Sequence, residues 1–165
     1  SPLVRSMSRR QPTTGDESQA TNRAAESMES SVTIDRAVHD DLEAVLAFLK
    51  PFMDQKQLVP RVSLELELLL KHAFLAREQG QIIGFAALEI YSKKLAEIQC
   101  LAVADQSRRR GIAQQLIKQC VQRASDEKVL ELMAISDSDA LFQKCGFDYS
   151  LPSQKRALFL QTRND

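Results

Sequence analysis

The stretch QSRRRGIAQQLI at 106–117 sets three consecutive arginines and a glycine directly before an amphipathic run. A helix start exposes backbone N–H groups that have no partner inside the helix. The helix dipole adds partial positive charge at the same place. Arg108, Arg109 and Arg110 supply side chains that pair well with phosphate oxygens, and Gly111 lets a backbone approach its ligand closely. This spacing predicts a seat for an anion. It is not a P-loop, because no GxxxxGK followed by Ser or Thr exists, and GxGxxG is absent too. What remains is Arg108-x-x-Gly111-x-Ala113. A solvated basic turn reads the same way in isolation, so the surrounding elements must decide.

The bulk composition makes any such site local. Lys and Arg number 22 and Asp and Glu number 22, so the formal charge is zero. A neutral chain has no general attraction for nucleic acid or an anionic membrane. The 165 residues fit one domain plus a tail. Apolar residues make up 44%, enough for a core, and the absence of Trp makes that core aliphatic. Cys100, Cys120 and Cys145 are odd in number and widely spaced, and neither His39 nor His72 lies near a cysteine pair. No disulfide framework or metal site is expected, and reduced thiols suit a cytoplasmic setting. The longest apolar stretches, such as IIGFAAL at 82–88, are too short to span a bilayer, and no secretory apolar segment lies near the start.

The elements that must position the loop follow from periodicity. Residues 1–31, rich in Ser, Thr, Gln and mixed charge, read as a disordered tail, and 32–165 as the folded domain. VTIDRAV (32–38) is a first strand. HDDLEAVLAFLK is a helix with Asp40 and Glu43 as a capping box, closed by Lys50 and Pro51. After the QKQLVPR loop, Ser63 caps the helix LELELLLKHA. AFLAREQ and QIIGFAALEIYS form a hairpin about Gly80, and LAEIQCLAV (95–103) is the next strand. The helix after the arginines carries Ile112, Leu116, Ile117, Cys120, Val121 and Ala124 on one face. KVLELMAI (128–135) is a strand, SDSDALFQKCG a short helix, and FDYS and KRALFLQT are the last strands. The order β-α-α-β-β-β-α-β-α-β-β is that of a mixed α/β (α+β) single domain, with a mostly antiparallel sheet flanked by helices.

Arg108-x-x-Gly111-x-Ala113 after the strand LAEIQCLAV, together with LFQKCGF before the last strands, resembles the signature of the GNAT superfamily of N-acetyltransferases. The resemblance covers 32–162. Within that superfamily, LVPR (58–61), AEIQCLAV (96–103), LFQKCGF (141–147) and LPSQKRALF (151–159) look like the acetyltransferase domain of bacterial N-acetylglutamate synthases. The chain has no room for the kinase-like domain many of them carry, so a stand-alone, short-form relative is expected.

The resemblance implies acetyl-CoA as cosubstrate, no metal, and a small-molecule amine as acceptor, most simply the α-amine of L-glutamate in arginine synthesis. It implies that the amides around Arg109, Arg110, Gly111, Ile112, Ala113 and Gln114, with the Arg108 side chain, cradle the pyrophosphate. It implies that the backbone at Leu101, Ala102 and Val103 pairs with the pantetheine arm. Glu97 would take the proton from the incoming ammonium, directly or through a water. Phe142 stands where many of these enzymes place a tyrosine acid, which leaves Ser136 to assist the leaving sulfur or orient the amine; a helix N-cap is the plain alternative for that serine. Arg61, Lys155, Arg156 and Arg163 would hold the acceptor's carboxylates. Val62 and Leu160 depart from the Ser and Asn frequent in the synthases. Two other functions stay open: acetylation of a different amine (a polyamine, a drug or a protein amine), and a non-catalytic acyl-CoA-binding module. The sequence does not choose between a monomer and a homodimer.

Overall fold

Strand β2 (Ala73–Glu78) is apolar over its first four residues and β3 (Gln81–Ile90) over six in its middle, because both faces of these strands are covered. Leu75, Phe85 and Ala87 point into one apolar layer, while Phe74, Ala76 and Ala86 point into the other. The computed structural model describes residues 31–58, 60–61, 63–150 and 157–163. The sheet runs β1-β2-β3-β4-β5, with β1 at Val32–Arg36, β4 at Leu95–Val103 and β5 at Glu131–Met133. Neighbours pair antiparallel except β4 and β5, which are parallel. A two-residue turn at Gln79 and Gly80, with φ of 51° and 75°, closes the β2–β3 hairpin.

Helices α1 (Leu42–Asp54) and α2 (Ser63–Leu69) cover the first face through Val45, Leu49, Leu66 and Leu69. Helix α3 (Ile112–Asp126) covers the second through Ile112, Leu116, Ile117 and Cys120, joined by Phe142 of α4 (Asp139–Lys144). Gly84 lets α3 come this close. A Cβ there would sit 3.0 Å from Leu116 Cδ1 and 3.2 Å from Ile112 Cγ2. Burial alone carries the Cys120 thiol up to about 12, so it packs as a small apolar group.

The structure corrects several expectations. Helix α1 does not stop at Pro51 but runs on to Asp54. Phe52 and Met53 pack against the first layer, which offsets the hydrogen bond that the proline removes. The entry to α1 is held by Asp41 rather than Asp40 and Glu43: its Oδ2 accepts the Val38 N–H at 2.8 Å, and its Oδ1 accepts Arg77 Nη2 at 2.7 Å. Strand β5 keeps only three of the eight residues expected. FDYS and the described part of KRALFLQT are not strands: 147–150 and 157–163 have no regular structure, and Leu158, Phe159 and Leu160 are exposed. Strand propensity needs a neighbouring ladder and a face to bury, and the described residues offer this segment neither. The expected tail over 1–30 lies outside the described residues. Among the described residues no helix is long and apolar enough to cross a membrane, and no cluster of three or more His, Cys, Asp or Glu stands ready for a metal.

Candidate active site

The sheet opens where β4 and β5 part. Their pairing covers Leu95↔Glu131, Ala96↔Leu132 and Glu97↔Met133 and goes no further. On its other side β4 pairs β3 throughout, with a shift in register between Phe85 and Ala87. The shift is a bulge at Cys100, whose φ is 58°. A bulge adds a residue to one strand, bends it and increases its twist. Gln99 and Cys100 are therefore consecutive yet belong to the same face, the one covered by α1 and α2.

The gap left by this parting is a cavity of about 760 Å³. Glu97 to Leu101 form one wall, Ala134 to Ser138 with Leu141 and Phe142 the other, and Gln57, Leu58 and Arg61 close it from the first helical face. Leu101, Ala102 and Val103 follow along β4 beyond the last β5 pair. Their backbone edge toward the gap has no strand partner among the described residues.

Glu97 is only 9% exposed. Its Oε1 accepts the Tyr91 hydroxyl at 2.7 Å and Gln99 Nε2 at 2.9 Å. Gln99 Nε2 also reaches Glu89 Oε2 at 2.9 Å, and Gln99 Oε1 accepts Arg61 Nη2 at 2.5 Å. Two carboxylates on one side of the amide and a guanidinium on the other fix which way it points. Burial, then the bond to Glu97, push the Tyr91 phenol far above its ordinary range, so the hydroxyl stays a donor. Burial also raises the Cys100 thiol, with Arg61 opposing it. Arg61 is set in place by its backbone N–H on Met53 Sδ at 3.3 Å. Its Nε is buried without a hydrogen-bond partner. A buried donor left unmade costs about 1–3 kcal/mol.

The arginine loop is a second, open surface. Arg109 and Gly111 have φ of 64° and 75°, and α3 begins at Ile112. Gly111 O accepts the Gln115 N–H at 3.1 Å. The N–H groups of Gly111, Ile112, Ala113 and Gln114 therefore lie at the end that helical geometry leaves unpaired. No acidic residue occupies the first turn. A Cβ on Gly111 would meet nothing within 4 Å, so its glycine serves the backbone angle, and the space above it is free for a ligand. These donors and cations fit a diphosphate. Arg108 pairs with Asp105 at 3.1 Å and Arg110 with Glu78 at 2.5 Å.

The structure thus brings Glu97, Leu101, Ser136 and Arg61 to one cavity and Arg108 to Gln114 to one helix start. Ser136 is not the helix N-cap that was the plain alternative for it. It lines the cavity, and its Oγ accepts the Ser138 N–H at 2.9 Å in the turn before α4. Ser138, not Ser136, takes the N-cap position. Phe142 is buried and meets Phe147 edge-on at 5.3 Å. Arg163 is not brought to the cavity; it lies in the exposed segment, where its carbonyl accepts Gln161 Nε2 at 2.7 Å. Lys155, Arg156 and Val62 lie outside the described residues. Gln99, Tyr91 and Glu89 were not singled out from the sequence. Their signal was there: Glu97 and Gln99 at i and i+2 mark a polar face on an otherwise apolar strand.

Comparison with known proteins agrees with this geometry. Residues 40–147 match the acetyltransferase (GNAT) family. An uncharacterized N-acetyltransferase of Chlorobaculum tepidum, CT2212, is 33% identical over 78 residues, 47% of this chain and 50% of that one. An amino-acid acetyltransferase of Pasteurella multocida is 32% identical over 136 residues, covering 79% of this chain and 31% of that protein. The chain therefore spans half or less of the length of these relatives. Among solved structures, Rv2747 of Mycobacterium tuberculosis in complex with CoA and NLQ superposes with a TM-score of 0.65 at 19% identity, covering 76% of each chain. The N-acetylglutamate synthase of Neisseria gonorrhoeae, complexed with coenzyme A and N-acetyl-glutamate, gives 0.62 at 26% identity, over 70% of this chain and 28% of that one. The sheet that parts beside Glu97, the helix start behind three arginines and the matched family profile lead to one conclusion: the chain belongs to the acetyltransferase (GNAT) family, whose members take acetyl-CoA as acetyl donor.

Proposed function

We propose that the chain transfers the acetyl group of acetyl-CoA directly to the α-amine of an amino acid with an acidic side chain, L-glutamate first. The observation that carries this reading is the pairing of Glu97 with Arg61 in one cavity through Gln99, with Arg61 Nε buried and unsatisfied. An amino acid brings an ammonium and a carboxylate together, and the cavity offers an acceptor for the first and a donor for the second. Glu97 removes the ammonium proton, and the freed amine attacks the thioester carbon. The C–S bond breaks, and the thiolate leaves with little need of a strong acid, since a free thiol titrates near ~8.5. Acetyl-CoA supplies the activated acetyl group. The amides of Gly111 to Gln114 hold its diphosphate, the β4 edge at Leu101 to Val103 its pantetheine arm, and an N–H near Leu101 polarises the carbonyl. Holding both reactants in one cavity supplies much of the rate. With glutamate as acceptor the reaction stands at the entry to arginine synthesis.

Glu89 and Asp137 favour a second reading. Asp137 lines the wall opposite Arg61, and Glu89 sets a second carboxylate behind Gln99, which suits a polyamine or a lysine side chain. Turnover measured as free-thiol release from acetyl-CoA, over a panel of glutamate, aspartate, spermidine and a lysine peptide, separates the two. Faster acetylation of spermidine or the peptide than of glutamate at equal concentration overturns the amino-acid assignment. No turnover with any amine overturns the enzymatic reading.

A further inference from the structure

Acetylation of an ammonium releases a proton that the site must dispose of. The nitrogen begins with three protons and the amide keeps one. Of the two that leave, one ends on the sulfur as the C–S bond breaks, and one must reach bulk water. Glu97, the proposed acceptor, is nearly sealed, and both bound reactants would cover the cavity side of it.

The way out is visible on the other side. Tyr91 follows β3, and its backbone is fixed by a hydrogen bond from its N–H to Leu95 O at 3.0 Å. Its hydroxyl lies 2.7 Å from Glu97 Oε1 and 3.2 Å from Glu89 Oε2, and the residue is 52% exposed. Resting on the proposed role of Glu97, we propose that Tyr91 is the proton outlet of the site and, with Gln99, the positioning residue that aims the Glu97 carboxylate. In the outward step the protonated Glu97 gives its proton to the Tyr91 oxygen while the hydroxyl proton passes to Glu89 or to solvent. Tyr91 is neutral before and after. A phenol held far above its ordinary range by burial and its carboxylate neighbours relays in this concerted way and does not ionise. The groups around Glu97 are consistent with that direction. Glu89 on β3 accepts the next proton, Gln99 on β4 donates to both carboxylates and cannot carry a proton onward, and Cys100 is held protonated by burial. Arg61, from the loop before α2, touches Gln99 and no oxygen of Glu97 among the described contacts, and Asp137 sits on the opposite wall.

The test is Tyr91→Phe, assayed with the fastest amine of the panel. It keeps the ring and removes the hydroxyl. At low buffer concentration the turnover number should drop about tenfold, less than the ~10²–10⁴ lost with the base itself, while KM for acetyl-CoA stays put. Added imidazole, a small mobile proton carrier, should restore turnover of Tyr91→Phe and leave the parent protein unchanged. Tyr91→Phe at full turnover in low buffer overturns the outlet, as does a loss that imidazole does not relieve. Glu97→Gln run alongside keeps the two claims apart. If it retains turnover, Glu97 is not the base; if it loses turnover while Tyr91→Phe does not, only the outlet fails.

Discussion

The two halves of the site are built in opposite ways. The arginine loop is continuous in sequence, exposed, and made largely of backbone: Arg108 to Gln114 supply four helix-end amides and three cations within seven residues. The wall proposed for the acceptor is discontinuous, built around the buried Glu97, and made of side chains. Arg61 comes from the loop before α2, Glu89 and Tyr91 from β3 and its end, Glu97 and Gln99 from β4. A cradle of amides recognises any diphosphate, whereas a side-chain network fixes charge and position at a chosen spot. The first half suits the shared donor and the second suits the individual acceptor. The difference also predicts how each half fails: one by affinity, the other by rate and selectivity.

The largest effect should come from Glu97→Gln. It keeps the shape of the side chain and removes the base, so the turnover number should fall by ~10²–10⁴, with acetyl-CoA affinity in calorimetry nearly unchanged. Part of the loss should return at high pH, where more of the amine is already free. A flat pH profile for the variant would break the link between Glu97 and amine deprotonation.

Next comes Arg61→Ala, which should raise KM for glutamate and leave KM for acetyl-CoA in place. A charge-assisted contact is worth ~1.5–3 kcal/mol, about tenfold or more. The variant also frees Gln99 Oε1, so a smaller drop in turnover number should accompany the change. If KM for acetyl-CoA rises equally, the two halves are not separate. Gly111→Asp probes the other half. It sets a carboxylate where the diphosphate is expected and asks an L residue to hold φ of 75°. Acetyl-CoA should bind at least about tenfold more weakly, a cost of about 1.4 kcal/mol. Turnover at saturating acetyl-CoA should change less than affinity does.

The same contrast explains what the sequence revealed. The loop is local, so a helix start, a glycine and three arginines announce it in a dozen letters. Glu97 was reachable because it breaks an apolar strand. The Gln99 bridge was not, because its far partner Arg61 comes from a loop 38 residues earlier in the chain, a contact that exists only once the sheet and its covering helices are assembled. Local rules misplaced the end of α1 for a related reason: packing of Phe52 and Met53 outweighs a proline. They also assigned strands to 147–150 and 155–162 from propensity, where the described residues form no ladder.

The smallest effect sharpens the comparison from the loop side. Arg110 is tied to Glu78 at the end of β2. That bond holds the Glu78 carboxyl below its ordinary 4.5. A carboxyl lowered in the folded state contributes stability that is present above its unfolded value and lost as pH falls through the folded one, so the pair is intact at neutral pH and opens only in acid. Both partners are partly exposed, and such pairs add little to stability, so Glu78→Gln should leave the melting temperature almost unchanged. Its effect should appear in acetyl-CoA binding, because the Arg110 guanidinium no longer has Glu78 to satisfy before it turns to a phosphate. Affinity at low ionic strength should rise modestly, and the gain should shrink in salt, where charges are screened beyond ~10 Å. If affinity does not move at any salt concentration, the diphosphate is held by the amides of Gly111 to Gln114 alone and the Arg110 side chain serves only to pin the loop to β2.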